Sequence, residues 1–343
     1  MRGIRVCLIA AIGLGIAGVT GAAGPMVLTS GGNLYSAGTR DNQVVLTARY
    51  ADGTASELFV PQSAAAVESS LQVGVDEATG AIYVLWQKST GLDAKLRLAG
   101  YLDGTWIGPR TFAGGDGTAA INPVMLVHRP VSEIVDGMDE DGEPVVSELA
   151  TTFLHIAWWS QFSEEDPGFA KFASLELNAN GIPSFQDMEP VELQGLFPYG
   201  FVCFEIEASE NLRHPKLFIE PGSNNPHIFA TDIGDCFFQI LELVPEVEEE
   251  IDGAAKRRRQ IIILRKTAMI AMRSDLPLAK GKLVVGSGLK IIMHWDEEME
   301  GLDDAVGYLE LDEDGVSETK TLVLDEKLDH ERATELIREL ARR

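Results

Sequence analysis

"GYLDGTWIGP", residues 100–109, reads as a hairpin: an aromatic arm, a bend at Asp103-Gly104, and a second arm that opens on Thr105 and Trp106. Asp-Gly between two extended runs is the strongest short-range hairpin signal, because a two-residue type I′ bend needs positive φ at both central positions. The fold turns on whether this bend stands alone, and it does not. Asp52-Gly53 lies in "YADGTASELFV", Asn180-Gly181 in "LNANGIPSF", Asp252-Gly253 in "EEEIDGAAK" and Asp314-Gly315 in "LDEDGVSET". The spacings between the five glycines are 51, 77, 72 and 62 residues, and the longer intervals hold acidic insertions such as "DGMDEDGEP" at 136–144.

A second feature precedes each bend. Trp86 in "GAIYVLWQKS" stands 18 residues before Gly104, Trp159 in "TTFLHIAWWS" 22 before Gly181, and Trp295 in "GLKIIMHWDE" 20 before Gly315. "NPHIFATDIG" and "GGNLYSAGTR" hold the same place without a tryptophan. Another extended run comes earlier still, in "SSLQVGVDEATG", "INPVMLVHR", "HPKLFIEPGSN" and "GKLVVGSG". Each unit thus predicts strand, turn, aromatic-rich strand, loop, strand, Asp/Asn-Gly bend, strand. Four strands repeated in this order predict an all-β chain folded as a β-propeller of about five blades, four to six being compatible, over residues 26–325. A β-sandwich is the alternative, although a sandwich does not need the unit order to recur. The last segment, 326–343, carries Ala333, Leu336, Ile337 and Leu340 at the spacing of an amphipathic helix and predicts a short C-terminal α-helix packed on the outside.

The units "HPKLFIEPGSNNPHIFATD" and "NPVML…FLHIAWW", with "LDGTW", resemble the blades of the sialidase-like, or BNR/Asp-box, β-propellers. Of the Asp-box pattern Ser-x-Asp-x-Gly-x-Thr-Trp, the chain keeps Asp103, Gly104, Thr105 and Trp106 with Asp and Gly adjacent. The resemblance implies a fold that hosts hydrolases, lectins and binding scaffolds alike. The chain has no Arg-Ile-Pro signature, so no catalytic residue is carried over.

The N-terminal residues 1–23 have the anatomy of a secretory signal peptide: Arg2 and Arg5, then 14 apolar residues from Val6 to Val19, then small residues at Ala22 and Ala23. The protein is accordingly expected to be exported, to the periplasm or beyond, with no membrane insertion after cleavage of a leader whose 14 apolar residues fall short of the ~20 that span a bilayer. Without Arg2 and Arg5 the formal charge of −25 becomes −27, which disfavours nucleic acid and anionic lipid as partners. Cys203 and Cys236, both in strand-like contexts, are expected to pair in an oxidising compartment or to be two separate buried thiols. The expected state is a monomer.

In a propeller blade the loops between second and third strands share one end with the links between blades, and the Asp-Gly bends point to the other. The first end is the usual place for function, and its loops here are acidic. Glu164, Glu165 and Asp166 lie in "FSEEDPG", Asp232 and Asp235 in "TDIGDC", and Asp296, Glu297, Glu298 and Glu300 in "HWDEEMEG". Two carboxylates roughly 5–10 Å apart are the machinery of glycoside hydrolysis, for which Glu164, Glu165 and Asp296 are the candidates. The same oxygens suit calcium, and solvated loop tips are the plain reading. Asp166, Asp232, Glu297 and His214, which opens an inner strand, are the candidate ligand-binding residues.

His155 and His227 occupy equivalent places in "HIAWW" and "HIFAT". A shared metal would need a third ligand that the sequence does not offer, so both are read as structural, with no metal site and no cofactor other than calcium. Trp86, Trp158, Trp159 and Trp295 are read as core and Trp106 as packing its own hairpin. "EVEEEIDGAAKRRRQ", folded about Asp252-Gly253, sets Glu248–Glu250 against Lys256–Arg258 within a residue of register, which predicts a long charge-zipped hairpin rather than a nucleic-acid patch. "DGMDEDGEP" reads as a flexible acidic insertion. The leading expectation is a non-catalytic scaffold for a protein or glycan on the acidic loop end. The alternatives are a carbohydrate-active hydrolase using two of those carboxylates and a calcium-stabilised structural module.

Overall fold

The computed structural model describes residues 26–115, 117–140, 143–163, 169–185, 191–192, 216–219, 225–232, 237–252, 255–271, 282–285, 291–299, 302–312, 315–316 and 320–323. Apart from short 3₁₀ turns at Glu68–Ser70 and Gly91–Asp93, every regular element among them is a β-strand. The first sheet is β1 (Met26–Leu28), β2 (Leu34–Arg40), β3 (Gln43–Arg49) and β4 (Ala55–Phe59), and the second is β5 (Gln72–Asp76), β6 (Ala81–Lys88), β7 (Lys95–Leu102) and β8 (Thr105–Ala113). In the third, β9 (Ala119–His128) is followed by a separate two-stranded ribbon, β10 (Val131–Met138) and β11 (Pro144–Ala150). The sheet then resumes with β12 (Thr152–Gln161), β13 (Phe169–Leu177) and β14 (Val191–Glu192). The fourth holds β15 (Lys216–Ile219), β16 (Pro226–Asp232), β17 (Phe237–Asp252) and β18 (Ala255–Ala271). The fifth holds β19 (Lys282–Val285), β20 (Ile291–Met299), β21 (Leu302–Asp312) and β22 (Gly315–Val316), with β23 (Lys320–Val323) also pairing with β21.

Neighbouring strands in every sheet are antiparallel, and Asp52-Gly53, Asp103-Gly104 and Asn180-Gly181 each lie just after the third strand of a sheet, whereas Asp252 ends β17 and Gly315 opens β22. The opening stretch bends as its residues require: Asp103 has φ 48° and Gly104 φ 79°, positive at both centres. The bend at Gly53 is a three-residue variant. Its amide bonds the Tyr50 carbonyl, Tyr50 N–H bonds the Thr54 carbonyl, and Gly53 alone takes the left-handed conformation at φ 86°. Asn178 to Ile182 repeats this pattern around Gly181.

The second strands show why the aromatic-rich runs are nearly continuous in apolar character. β6 and β12 are buried on both faces, as strands are when sheets cover both sides. Along β6, Ile82, Val84 and Trp86 pack against the first sheet through Tyr35, Val44 and Leu46, while Tyr83 and Leu85 pack against the third through Met125, Leu154 and Trp158. Along β12, Leu154, Ile156 and Trp158 face the second sheet. The alternate residues Ala157 and Trp159 meet Ile228, Leu241 and Leu243 of the fourth. The first four sheets therefore stack face to face in chain order, with one apolar layer per junction. Their first strands also adjoin, β1 against β5, β5 against β9 and β9 against β15. Where β5 and β9 meet, a Cβ at Gly74 would stand 2.8 Å from Val127 Cγ2 and 3.4 Å from Met125 Cε. Gly74→Val should lower unfolding free energy by about 1–3 kcal/mol through overpacking, read as a shift in the urea midpoint.

The segment expected to be a flexible acidic insertion is the tip of the β10–β11 ribbon. Its arms, "VSEIV" and "PVVSELA", both form strands, and Asp139 N–H bonds the Glu143 carbonyl at 2.8 Å to close the turn. The acidic composition of the tip masks the extended arms on either side. The charge-zipped hairpin forms as expected, with Glu248 opposite Arg259, Glu249 opposite Arg258 and Glu250 opposite Arg257. The leader 1–23, the C-terminal segment 326–343, Cys203 and Cys236 lie outside the described residues.

Candidate functional site

Topology places both long ribbons at one end of the molecule. β10–β11 leaves the third sheet between its first and second strands. β17 and β18 pair with each other from Phe237↔Ala271 to Asp252↔Ala255, but β16 accompanies β17 only from Phe237 to Glu242. Residues 243–252 and 255–264 therefore project past β16 as a two-stranded ribbon, whose base packs on the third sheet through Leu243, Ile262 and Leu264. Tyr83, at the corresponding end of the second sheet, donates its hydroxyl to the Gly181 carbonyl in the bend of the third. Burial pushes the Tyr83 phenol well above its ordinary value, so it remains a donor throughout the physiological range.

The two ribbons are clamped together. Arg258 bonds Glu249 across its own hairpin at 2.8 Å and also bonds Asp136 of β10. Gln260, only 2% exposed, donates to Ser132 Oγ at 2.8 Å. Arg259 turns to the other face of the hairpin and bonds Glu248 at 3.2 Å. Alternation explains the division: Arg258 and Gln260 share one face of β18, and Arg259 lies on the opposite one.

Below the clamp, the layer between the third and fourth sheets opens into a cleft of about 150 Å³. Phe153, Ser174, Glu176 and Ser184 line it from the third sheet, and Arg259, Gln260, Ile261 and Ile262 from β18. The Oε1 atom of Gln260 is buried without a hydrogen-bond partner within the protein. A buried acceptor left unpaired costs about 1–3 kcal/mol.

Behind the cleft lie two histidines. His155 is fully buried, its Nδ1 3.0 Å from Ser174 Oγ and its ring stacked between Phe153 and Phe172 at 6.0 Å from each. His128 on β9 faces it at 5.7 Å between ring centres. Burial pulls His128 down to about 4 and holds His155 well below the usual imidazole range, with His128 as a further cause. Both are therefore neutral near pH 7. His227 is likewise buried, with Nδ1 3.0 Å from the Asn225 carbonyl and its ring stacked on Phe218. His155 and His227 are thus both buried, each with a polar neighbour at Nδ1.

The sequence-predicted residues fare differently. Glu164, Glu165, Asp166, His214 and Asp235 lie outside the described residues. Asp232 closes β16 opposite Phe237, and Asp296 and Glu297 sit within β20 opposite Val306 and Ala305. These three are strand positions and not loop tips. From Ile291 to Met299 no Gly, Pro or Asn interrupts the run, so the ladder continues through the acidic residues until Met299 meets Leu302. Trp86, Trp158 and Trp159 are core residues, each at most 1% exposed, and Trp106 packs on Tyr101 of its own hairpin at 5.0 Å. The ribbon clamp and the cleft were not singled out in the sequence. The signal that could have found them is the alternation on both sides of "DGMDEDGEP".

No family model matches the chain, and no curated protein does. Among solved structures, a polysaccharide lyase of a new family, the PL25 ulvan lyase, aligns over 87% of this chain and 69% of its own at 11% identity with a TM-score of 0.36.

Proposed function

We propose that the chain is a five-bladed β-propeller acting as an exported, non-catalytic binding scaffold, and that it holds a protein or glycan ligand at the end bearing the two ribbons. The stacking of the first four sheets and the side-by-side placement of β1, β5, β9 and β15 support the propeller. On this reading the fifth sheet, whose β22 adjoins β18 of the fourth, is the last blade.

The observation that carries the functional reading is the clamp. The third and fourth units depart from the four-strand plan at the same end, and Arg258 and Gln260 tie the two departures into one rigid projection over a cleft. Ordering two exposed ribbons against each other costs conformational entropy. A plain structural repeat has no need of that, whereas a ligand platform does. The outer face of β10–β11 adds contact surface, since Val131, Val135 and Val146 are each at least 50% exposed. This reading places the ligand at the ribbon end of β17 and not at the end where Asp232 pairs with Phe237.

The test replaces residues 130–150 with an Asn-Gly bend and immobilises this protein beside the intact mature chain. Both are challenged with a mixed oligosaccharide panel and a displayed random-peptide library, and whatever is retained is weighed by mass spectrometry. The intact chain should retain a ligand unchanged in mass, and the ribbonless chain should retain at least about tenfold less, a difference near 1.4 kcal/mol. Shortened glycans would make the protein a hydrolase instead. Equal retention by both chains, or none by either, would refute the ribbon end as the ligand end.

A further inference from the structure

We infer that the outer face of the β10–β11 ribbon docks an extended segment of a partner protein, one that carries an arginine between two apolar side chains. The inference deepens the ribbon-end reading and rests on it. Register and alternation define the face. Ser132 and Asp136 turn toward β18, where they meet Gln260 and Arg258. Val131, Glu133 and Val135 therefore point outward, opposite Ala150, Glu148 and Val146 of β11.

The charges on this face select the occupant. Glu133 stands directly opposite Glu148, both exposed and neither ion-paired among the described residues. Like charges set opposite each other on a sheet are unfavourable. The neighbouring hairpin shows the self-contained solution, since Glu248, Glu249 and Glu250 there each face an arginine. An arginine brought from outside would relieve the Glu133–Glu148 pair, because its fork of N–H donors can bond two carboxylates at once. Val131 and Ala150 flank the pair on one side, and Val135 and Val146 on the other. The three valines are 57, 56 and 50% exposed. Each flanking row lies two residues from the glutamates, about 7 Å along the strand. An extended chain presents every second side chain to one face at that same spacing, so an apolar–x–Arg–x–apolar segment matches all three rows. A bare cation would leave the valines uncovered, and a neutral glycan would leave the carboxylates without a counter-charge. The net charge of −25 adds a long-range field that draws a basic partner in.

The probes are acetylated, amidated peptides Gly-Val-Thr-X-Thr-Val-Gly with X as Arg, Glu or Ser, and a fourth with X as Arg and both valines replaced by serine. Saturation-transfer NMR on the intact mature chain should show the Val/Arg peptide binding with Kd in the millimolar range or tighter. The other three should bind at least about tenfold more weakly, and 0.5 M NaCl should weaken the Val/Arg peptide severalfold. Joint Glu133→Lys and Glu148→Lys should invert the preference, so that the Glu peptide binds and the Arg peptide does not. Joint Val135→Ser and Val146→Ser should weaken the Arg peptide by about tenfold. All four positions face solvent, so the melting temperature should stay within a few degrees in both variants. Equal binding of the Arg and Glu peptides, no binding by any of the four, or a preference unchanged by the double charge reversal would overturn the assignment. The two readings fail separately. Equal retention by the intact and ribbonless chains in the capture experiment removes the ribbon end. Retention that needs the ribbons but is indifferent to the charge reversal removes the arginine site alone.

Discussion

Trp158→Ala and Trp159→Ala should each cost about 3–5 kcal/mol of unfolding free energy, although the two residues are neighbours in sequence and fill different cores. Trp158 projects between the second and third sheets, where it meets Phe112 edge-on at 5.2 Å. Trp159 projects between the third and fourth, among Phe172, Leu217 and Leu241. Each is 1% exposed, and neither cavity can be refilled by the other tryptophan because the backbone of β12 separates them. The two costs should therefore add. A pair of such losses rivals the whole stability of an ordinary domain, about 5–15 kcal/mol, and the double variant should be unfolded without denaturant. Trp106→Ala is the internal comparison. It is only partly buried, at the edge of the core between the first two sheets and 5.0 Å from Tyr101, so its loss should cost less than either, about 1–3 kcal/mol. Urea titrations of the four proteins, read by far-UV circular dichroism, decide the matter. If the Trp158 and Trp159 variants together cost no more than one alone, the two side chains share a single cavity and the stacked-sheet account of β12 is wrong.

That β12 is covered on both faces was legible before any coordinates, because its residues run apolar through both parities and a strand with one wet face would alternate. The bends at Gly53, Asp103-Gly104 and Gly181 were legible for a similarly local reason. A positive φ at Asp103, Gly104, Gly53 and Gly181 is a property of two or three residues, so the dipeptide carries the signal whatever surrounds it. Strand order follows from bends and apolar runs in sequence. Closure of a ring does not, since it depends on how the last unit meets the first.

The site was far less legible, and Gln260 shows why. In "KRRRQ" it looks like the end of a solvated charge run. Only the pairing Val247↔Gln260 sets its parity, and only the arrival of β10 from 128 residues away buries it against Ser132. Composition pointed instead to acidic runs, because carboxylates are the usual chemistry of exposed loops. Asp296 and Glu297 are in fact paired strand residues, since nothing in the preceding stretch interrupts the ladder. Histidine spacing was equally ambiguous. The rings that flank the cleft, His128 and His155, come from adjacent strands joined by the ribbon, a contact that spacing alone does not reveal.

Acid should unfold the protein in a window set by those two rings. His128 titrates at about 4 in the folded chain against an ordinary 6.5, and His155 is shifted in the same direction. Both folded values are depressed, so at neutral pH the folded and unfolded states hold the same number of protons at these sites and nothing is lost. Below about pH 6.5 the unfolded chain takes up protons that the folded chain refuses, and stability falls by about 1.4 kcal/mol per pH unit for each ring until its folded value is reached. From His128 alone the loss between pH 6.5 and about 4 is on the order of 3 kcal/mol, and His155 adds to it. The chain's 53 acidic residues work the other way. Protonating carboxylates relieves self-repulsion in a molecule of net charge −25, but that relief sets in mainly near pH 4–5, where unperturbed Asp and Glu titrate. A decline in the urea midpoint between pH 6.5 and 5 is therefore the signature of the buried imidazoles. His155→Phe, which keeps a ring between Phe153 and Phe172, should flatten that decline, and His128→Phe should flatten it further in combination. A midpoint that holds steady over this interval in the wild-type chain, or falls as steeply in the double variant, would show that other groups govern its response to acid.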